Sequence, residues 1–171
     1  MNDFRDFSNV RERKFLSEKQ LQQSLEQEDW SAVASQIREE VEKGNRKLDQ
    51  TQFTYLEAAE TNLKNWEGVL SAYALLRSKD PNRAENHQAL MRQAQAAGNL
   101  GNAKLEKKFY LMILQRKSSN DQELKLQKKV RRFLSEQELS EKVEQTDWAG
   151  VANHIRKEIK TGDRELDDVN F

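Results

Sequence analysis

Apolar residues recur along this chain at the spacing of α-helices. Trp30, Val33, Ile37 and Val41 stand at positions i, i+3, i+7 and i+11, and so form one stripe of a helix. Comparable stripes follow in Leu48–Leu63, Trp66–Arg77, Asn82–Ala97, Leu100–Arg116 and Asp121–Arg132. One proline and six glycines are too few for the turns of an all-β protein. The sequence therefore predicts an all-α fold of antiparallel helix hairpins.

Polar residues mark where several of these helices begin and end. Asp29 precedes the first stripe, where its carboxylate can accept a backbone amide, and Gly44 can close that helix in the left-handed conformation. A helix stops at Asp80-Pro81, because proline lacks the amide that a helix interior needs. Two capping boxes, Ser17–Gln20 and Ser135–Glu138, predict further helix starts.

The segment Phe15–Phe53 occurs twice. It returns as Phe133–Phe171, offset by 118 residues without a gap, and 19 of the 39 positions are identical. The shared residues include a serine, an Asp-Trp pair, a V-A-x-x-I-R pattern and a glycine. These residue types build a helical hairpin, so the sequence predicts that one hairpin is used twice.

Charge and composition narrow the function classes. Charged residues make up 34% of the chain, the mean hydropathy is −1.01 and the net charge is zero. No cysteine is present, which excludes a disulfide framework and a thiolate zinc site. The start has no apolar run of signal-peptide length, and no segment approaches about 18 apolar residues. We therefore expect a cytoplasmic protein without membrane insertion.

Catalytic and metal-binding patterns are missing from the sequence. His87 and His154 lie far apart without companions at ligand spacing, and we find neither a phosphate-binding loop nor a catalytic triad. Paired acids such as Glu39-Glu40 fit polar helix faces. The sequence predicts a protein that is not an enzyme and needs no cofactor or metal.

The predicted second helices of the hairpins share a pattern. It is seen in Trp30-x-x-Val33, Trp66-x-x-Val69, Leu100-x-x-Ala103 and Trp148-x-x-Val151, at spacings of 36, 34 and 48 residues. Helix pairs with a period near 34 residues resemble the tetratricopeptide (TPR) repeat. The best match joins Phe53-x-x-Leu56, Asn65-Trp66-Glu67-Gly68-Val69, Tyr73, Leu76 and Asp80-Pro81. The resemblance implies a TPR-like solenoid.

This resemblance divides the chain into four parts. Residues 1–14 are an arm or short helix, and residues 15–117 are three TPR-like hairpins. Residues 118–132 form a polar break and a basic connecting helix. Residues 133–171 repeat the first hairpin and stop before its partner helix.

The resemblance also implies a function, that of a protein-binding scaffold, adaptor or chaperone with a protein or peptide partner. The inner faces of the first helices would present the binding surface. Its candidate residues are Thr54, Asn62, Glu85, Gln88, Arg92 and Gln95. Some members of the family grip a peptide carboxylate with lysine and asparagine, and those residues are not matched here. A self-assembling structural protein is the alternative.

Three further expectations concern particular residues. Trp30 and Trp148 head apolar stripes and are expected in the core. Leu166 and Phe171 are candidates for a self-association face that would make a homo-oligomer. The basic patch consists of Lys125, Lys128, Lys129, Arg131 and Arg132, but flanking acidic segments and zero net charge disfavour nucleic acid as its partner.

Overall fold

The computed structural model describes residues 18–44 and 48–163. Within these ranges the chain forms nine helices and no strand, which confirms the predicted all-α class. The described part of α1 covers residues 18–26. The others are α2 (Trp30–Glu42), α3 (Gln50–Asn62), α4 (Trp66–Lys79), α5 (Pro81–Ala84), α6 (His87–Asn99), α7 (Ala103–Gln115), α8 (Asp121–Glu144) and α9 (Trp148–Thr161). The predicted arm 1–14, the Ser17 cap, Leu166 and Phe171 lie outside the described residues.

The chain divides into two compact units. The first contains α1 to α5 and residues 99–101, and in it α2 packs against α3 and α3 against α4. The second contains residues 85–98 and 102 onward, and in it α7 packs against α8 and α8 against α9.

A polar cluster joins three helices of the first unit. The Arg38 guanidinium on α2 donates to Glu60 Oε1 on α3 at 2.7 and 2.8 Å, and to the Gly68 carbonyl on α4 at 3.1 Å. Glu60 Oε2 accepts from Asn65 Nδ2 at 2.7 Å. A Cβ on residue 68 would lie 2.2 Å from that oxygen, so glycine there leaves room for the carboxylate. We call these four residues the Arg38 clamp.

One turn geometry precedes α2, α4, α7 and α9. The residue two before each helix is left-handed, with φ between 53 and 70°, at Glu28, Lys64, Gly101 and Thr146. The next residue caps the helix with its side chain and donates its own amide to the carbonyl five residues back at 2.9 Å. These capping residues are Asp29, Asn65, Asn102 and Asp147. The bond pattern is that of a Schellman motif running directly into an N-cap.

Several predicted helix ends are confirmed, and the helix starts of the third hairpin are displaced. Asp29 accepts from the Ala32 amide at 3.0 Å, Gly44 has φ 68°, and α4 ends before Asp80-Pro81. The third hairpin differs, because the predicted helix Asn82–Ala97 is divided into the short α5 and α6, α6 runs from His87 to Asn99, and α7 begins at Ala103. Leu100 therefore does not stand at the head of a helix, and the pattern that aligned it with the tryptophans was wrong.

The predicted helix start at Ser135 is also wrong. α8 runs without interruption from Asp121 to Glu144, capped by Asn120. The segment contains no glycine or proline, so nothing in it breaks the helix. Ser135 Oγ instead lies 2.9 Å from His154 Nε2 on α9 and donates to the Glu158 carboxylate.

The tryptophans are less buried than their sequence pattern predicts. Trp148 is 64% exposed, so its placement in the core was wrong. Trp30 and Trp66 are partly buried. The core of the first unit is formed instead by residues such as Val33, Ile37, Leu56, Tyr73 and Leu76.

Candidate groove between α6 and α8

A groove of about 670 Å³ opens between α6 and α8 in the second unit. On the α6 side it is lined by Asn86, His87, Gln88, Met91, Arg92 and Gln95. On the α8 side it is lined by Asn120, Gln122, Glu123 and Leu126. Most of these side chains carry amide or charged groups, while Met91 and Leu126 give the groove an apolar part.

Gln127 fixes the two walls of the groove. Its amide nitrogen on α8 donates to the carbonyls of Ile113 at 2.9 Å and Arg116 at 2.7 Å, at the carboxyl end of α7. The same nitrogen lies 3.3 Å from His87 Nε2 on α6. Both side chains are buried. The Arg116 amide also donates to the Ile113 carbonyl, so Gln127 adds a second donor there and supplies one to the Arg116 carbonyl, while its side chain stays in contact with His87 on α6.

Glu123 supplies negative charge at the edge of the groove. Its carboxylate accepts from the Ser119 amide at 2.6 Å and from the Ser119 hydroxyl at 2.8 Å. These bonds hold the pKa of Glu123 below its ordinary value, because they stabilise the ionised form. Its Oε1 lies 3.6 Å from His87 Nδ1. The carboxylate and the imidazole therefore face each other across the two helices.

The structure brings only part of the predicted binding face together. Gln88, Arg92 and Gln95 line the groove. Glu85 lies in the same unit but pairs with Arg116 at 3.8 Å and does not line the groove. Thr54 and Asn62 belong to the first unit, where each donates to a carbonyl of its own helix, at 2.9 Å.

Sequence reasoning missed the whole α8 wall of the groove. Leu126 falls within the stripe predicted in Asp121–Arg132, and Gln122 and Glu123 belong to no motif. The capping box at Ser135 moved the expected first helix of the last hairpin downstream.

The predicted basic patch lies on exposed positions of α8. Lys125, Lys128 and Lys129 are exposed. Arg131 lies 4.0 Å from Asp163, and Arg132 donates to Glu136 at 3.1 Å one turn away. Two of the five cations are thus engaged by carboxylates of the protein itself.

In residues 18–44 and 48–163, no group of three or more histidine or acidic side chains could hold a metal ion. None of the helices described is both long and apolar enough to cross a membrane. No protein-family model, curated protein or solved structure matches the chain.

Proposed function

We propose that the protein is a non-enzymatic scaffold, adaptor or chaperone that binds an extended segment of a partner protein in the groove between α6 and α8. The groove itself carries this proposal. Amide side chains can both donate to and accept from a peptide main chain, and they are carried by both walls. Met91 and Leu126 offer adaptable apolar contact to a partner side chain.

A TPR-like array is the arrangement that we propose for the helices. The turn that recurs before α2, α4, α7 and α9 supports it, since each turn joins two successive helices of a hairpin. In such arrays the first helices of the hairpins carry the binding surface, and α6 and α8 would be two of them. We place this scaffold in the cytoplasm.

Site-specific photo-crosslinking tests the groove. A photoreactive residue replaces Gln88, which is exposed in the groove, or Glu144, which is exposed at the far end of α8 and serves as the control. We expect partner proteins to be captured from Gln88 and not from Glu144. A Met91→Glu substitution should abolish that capture, because it puts a charge into the apolar part of the groove. Equal capture from both positions would reject the groove.

Self-assembly is the alternative function, and the exposure of Trp148 is the observation that favours it. Light scattering over a concentration series tests this alternative, because self-assembly requires oligomers to form from the pure protein. Nucleic acid is the weaker alternative. Binding through Lys125, Lys128 and Lys129 would fall steeply as salt rises, because neutralised phosphates release counterions.

A further inference from the structure

The duplication provides an internal reference for α9. Residues 30–42 on α2 correspond to residues 148–160 on α9. Val33, Ala34 and Ile37 are buried, whereas their counterparts Val151, Ala152 and Ile155 are only partly buried. No residue of α9 is fully buried. One amphipathic helix sequence is therefore buried on its apolar side in the first unit and only partly buried in the second.

α3 is the element that covers α2. Its apolar side places Phe53, Leu56 and Ala59 at positions i, i+3 and i+6, and all three are buried. Glu60, at i+7, enters the Arg38 clamp. The apolar side of α2 is thus covered by a helix with three apolar residues on one side and a glutamate directly after the third.

α9 retains the arginine that pairs with this glutamate in the first unit. Arg156 stands at the position of Arg38 in the duplicated sequence. It is exposed, and its hydrogen bond is with Asn153 Oδ1 on its own helix at 3.5 Å. Trp148, Ala152, Ile155, Arg156 and Ile159 share one side of α9, which we call the α9 face.

A different side of α9 is already occupied by α8. Ser135 on α8 contacts His154 and Glu158. Both lie on the helix side away from Ala152 and Arg156. Ile155 lies between the two sides, so a helix that binds over Trp148, Ala152 and Arg156 leaves the contacts of His154 and Glu158 with α8 in place.

The charge around the α9 face has changed since the duplication. Lys157 and Lys160 stand where the first copy has Glu39 and Glu42, and both lysines are exposed. With Arg156 they give α9 three cations along its polar border. A helix that binds here meets a more basic surface than α3 meets on α2, so acidic residues on its flanks are favoured.

We propose that the α9 face binds, in trans, an acidic amphipathic helix of a partner protein. That helix carries apolar residues at i, i+3 and i+6 and a glutamate at i+7, the pattern of Phe53, Leu56, Ala59 and Glu60. Its apolar stripe packs on Trp148 and Ile155, and its glutamate pairs with Arg156. The binding mode is that of a helix laid on a complementary helix face.

The α3 segment is the natural probe. A labelled peptide of residues 48–65 is stapled between positions 54 and 61, which are both exposed in α3, because so short a helix is marginal in water. Fluorescence anisotropy with the full chain measures its affinity. We expect saturable binding that Trp148→Ala abolishes and that Arg156→Glu weakens at least about tenfold.

A charge exchange makes the test specific. A peptide with Glu60→Lys should bind the parent poorly and recover on the Arg156→Glu protein. Lys125→Glu, the same kind of charge change at an exposed position of α8, is the control and should leave the affinity of the original peptide within about twofold. Unchanged binding in Arg156→Glu, or failure of the charge exchange, overturns the proposal.

Self-association and the effect of Met91→Glu show whether the α9 face binds a second copy and whether the peptide binds elsewhere. Self-association abolished by Trp148→Ala, without any peptide binding, would identify a second copy as the occupant and overturn the proposal. If Met91→Glu leaves peptide binding unchanged, the peptide does not bind in the groove. The α9 face and the groove are then separate sites, and either proposal can be wrong while the other holds. Binding lost only in Met91→Glu would place the peptide in the groove and overturn the inference.

Discussion

Removal of the cation in the Arg38 clamp should destabilise the first unit strongly. Arg38→Met keeps the length of the side chain but leaves the Glu60 carboxylate, which is only 2% exposed, with Asn65 as its neutral donor. Breaking a buried ion pair from one side costs about 3 to 5 kcal/mol. The Arg38 side chain is 28% exposed, so water can replace part of its contribution. We therefore expect a loss of about 2 to 4 kcal/mol.

Urea unfolding measures this loss in the first unit alone if one tryptophan is removed. Trp148→Phe leaves Trp30 and Trp66 as reporters, and both lie in the first unit. With a slope of about 1.5 kcal/mol/M, a loss of about 3 kcal/mol lowers the urea midpoint by roughly 2 M. Lys43→Met is the matched control, because it removes a cation from the exposed pair with Glu39.

The control sets the outcome that would refute this reasoning. Exposed pairs contribute about 0 to 1 kcal/mol, so Lys43→Met should hardly move the midpoint. If Arg38→Met cost no more than Lys43→Met, the buried carboxylate would not depend on its cation. Adding Glu60→Gln to Arg38→Met should restore part of the loss, since the buried charge is then removed as well.

Three further predictions concern the second unit. Trp148→Ala should change the free energy of unfolding by less than about 0.5 kcal/mol, because the ring is exposed, and a loss of several kcal/mol would contradict its placement. Gln127→Ala should cost about 1 to 3 kcal/mol in chemical denaturation, since the Arg116 carbonyl loses the Gln127 amide and the Ile113 carbonyl keeps only the Arg116 amide, whereas Gln122→Ala, at an exposed position, should not. Burial and the nearby Glu106 raise the pKa of Tyr110 to about 12. The folded chain therefore holds this proton more tightly than the unfolded chain, so the protonated tyrosine adds its full contribution to the free energy of unfolding below pH 10. That contribution is lost as the pH rises through 12. Ultraviolet titration with Tyr110→Phe as reference should show this late ionisation, and a normal titration would contradict it.

The local signals of the sequence were sufficient for part of the fold. Asp29, Gly44 and Pro81 act through the few residues beside them, so their effects could be predicted without knowledge of the tertiary structure. The Ser135 capping box carries the same kind of signal but lies inside a segment that favours helix on both sides. Continuous helix hydrogen bonding replaced the cap there, and the serine bonds to α9 instead.

Burial and the groove could not be predicted in the same way. Trp30 and Trp148 share one local pattern, yet only the first copy has α3 packed against its helix. Exposure depends on that neighbour and not on the pattern. The groove likewise depends on which helices lie side by side, and Gln122 or Asn120 has no local property that marks it as part of a surface.

Because α8 is continuous, it fixes the rotation of the groove about the helix axis relative to α9. Its 24 residues span about 36 Å, with Glu123 and Gln127 near one end and Ser135 and Lys142 towards the other. One residue inserted between Gln127 and Ser135 would turn one end by about 100° relative to the other, and four residues would bring it back to within about 40°. An insertion or deletion in α8 therefore changes both the distance between the groove and α9 and the direction in which each faces. Only changes close to a whole number of helical turns keep the two sites in the same relative orientation.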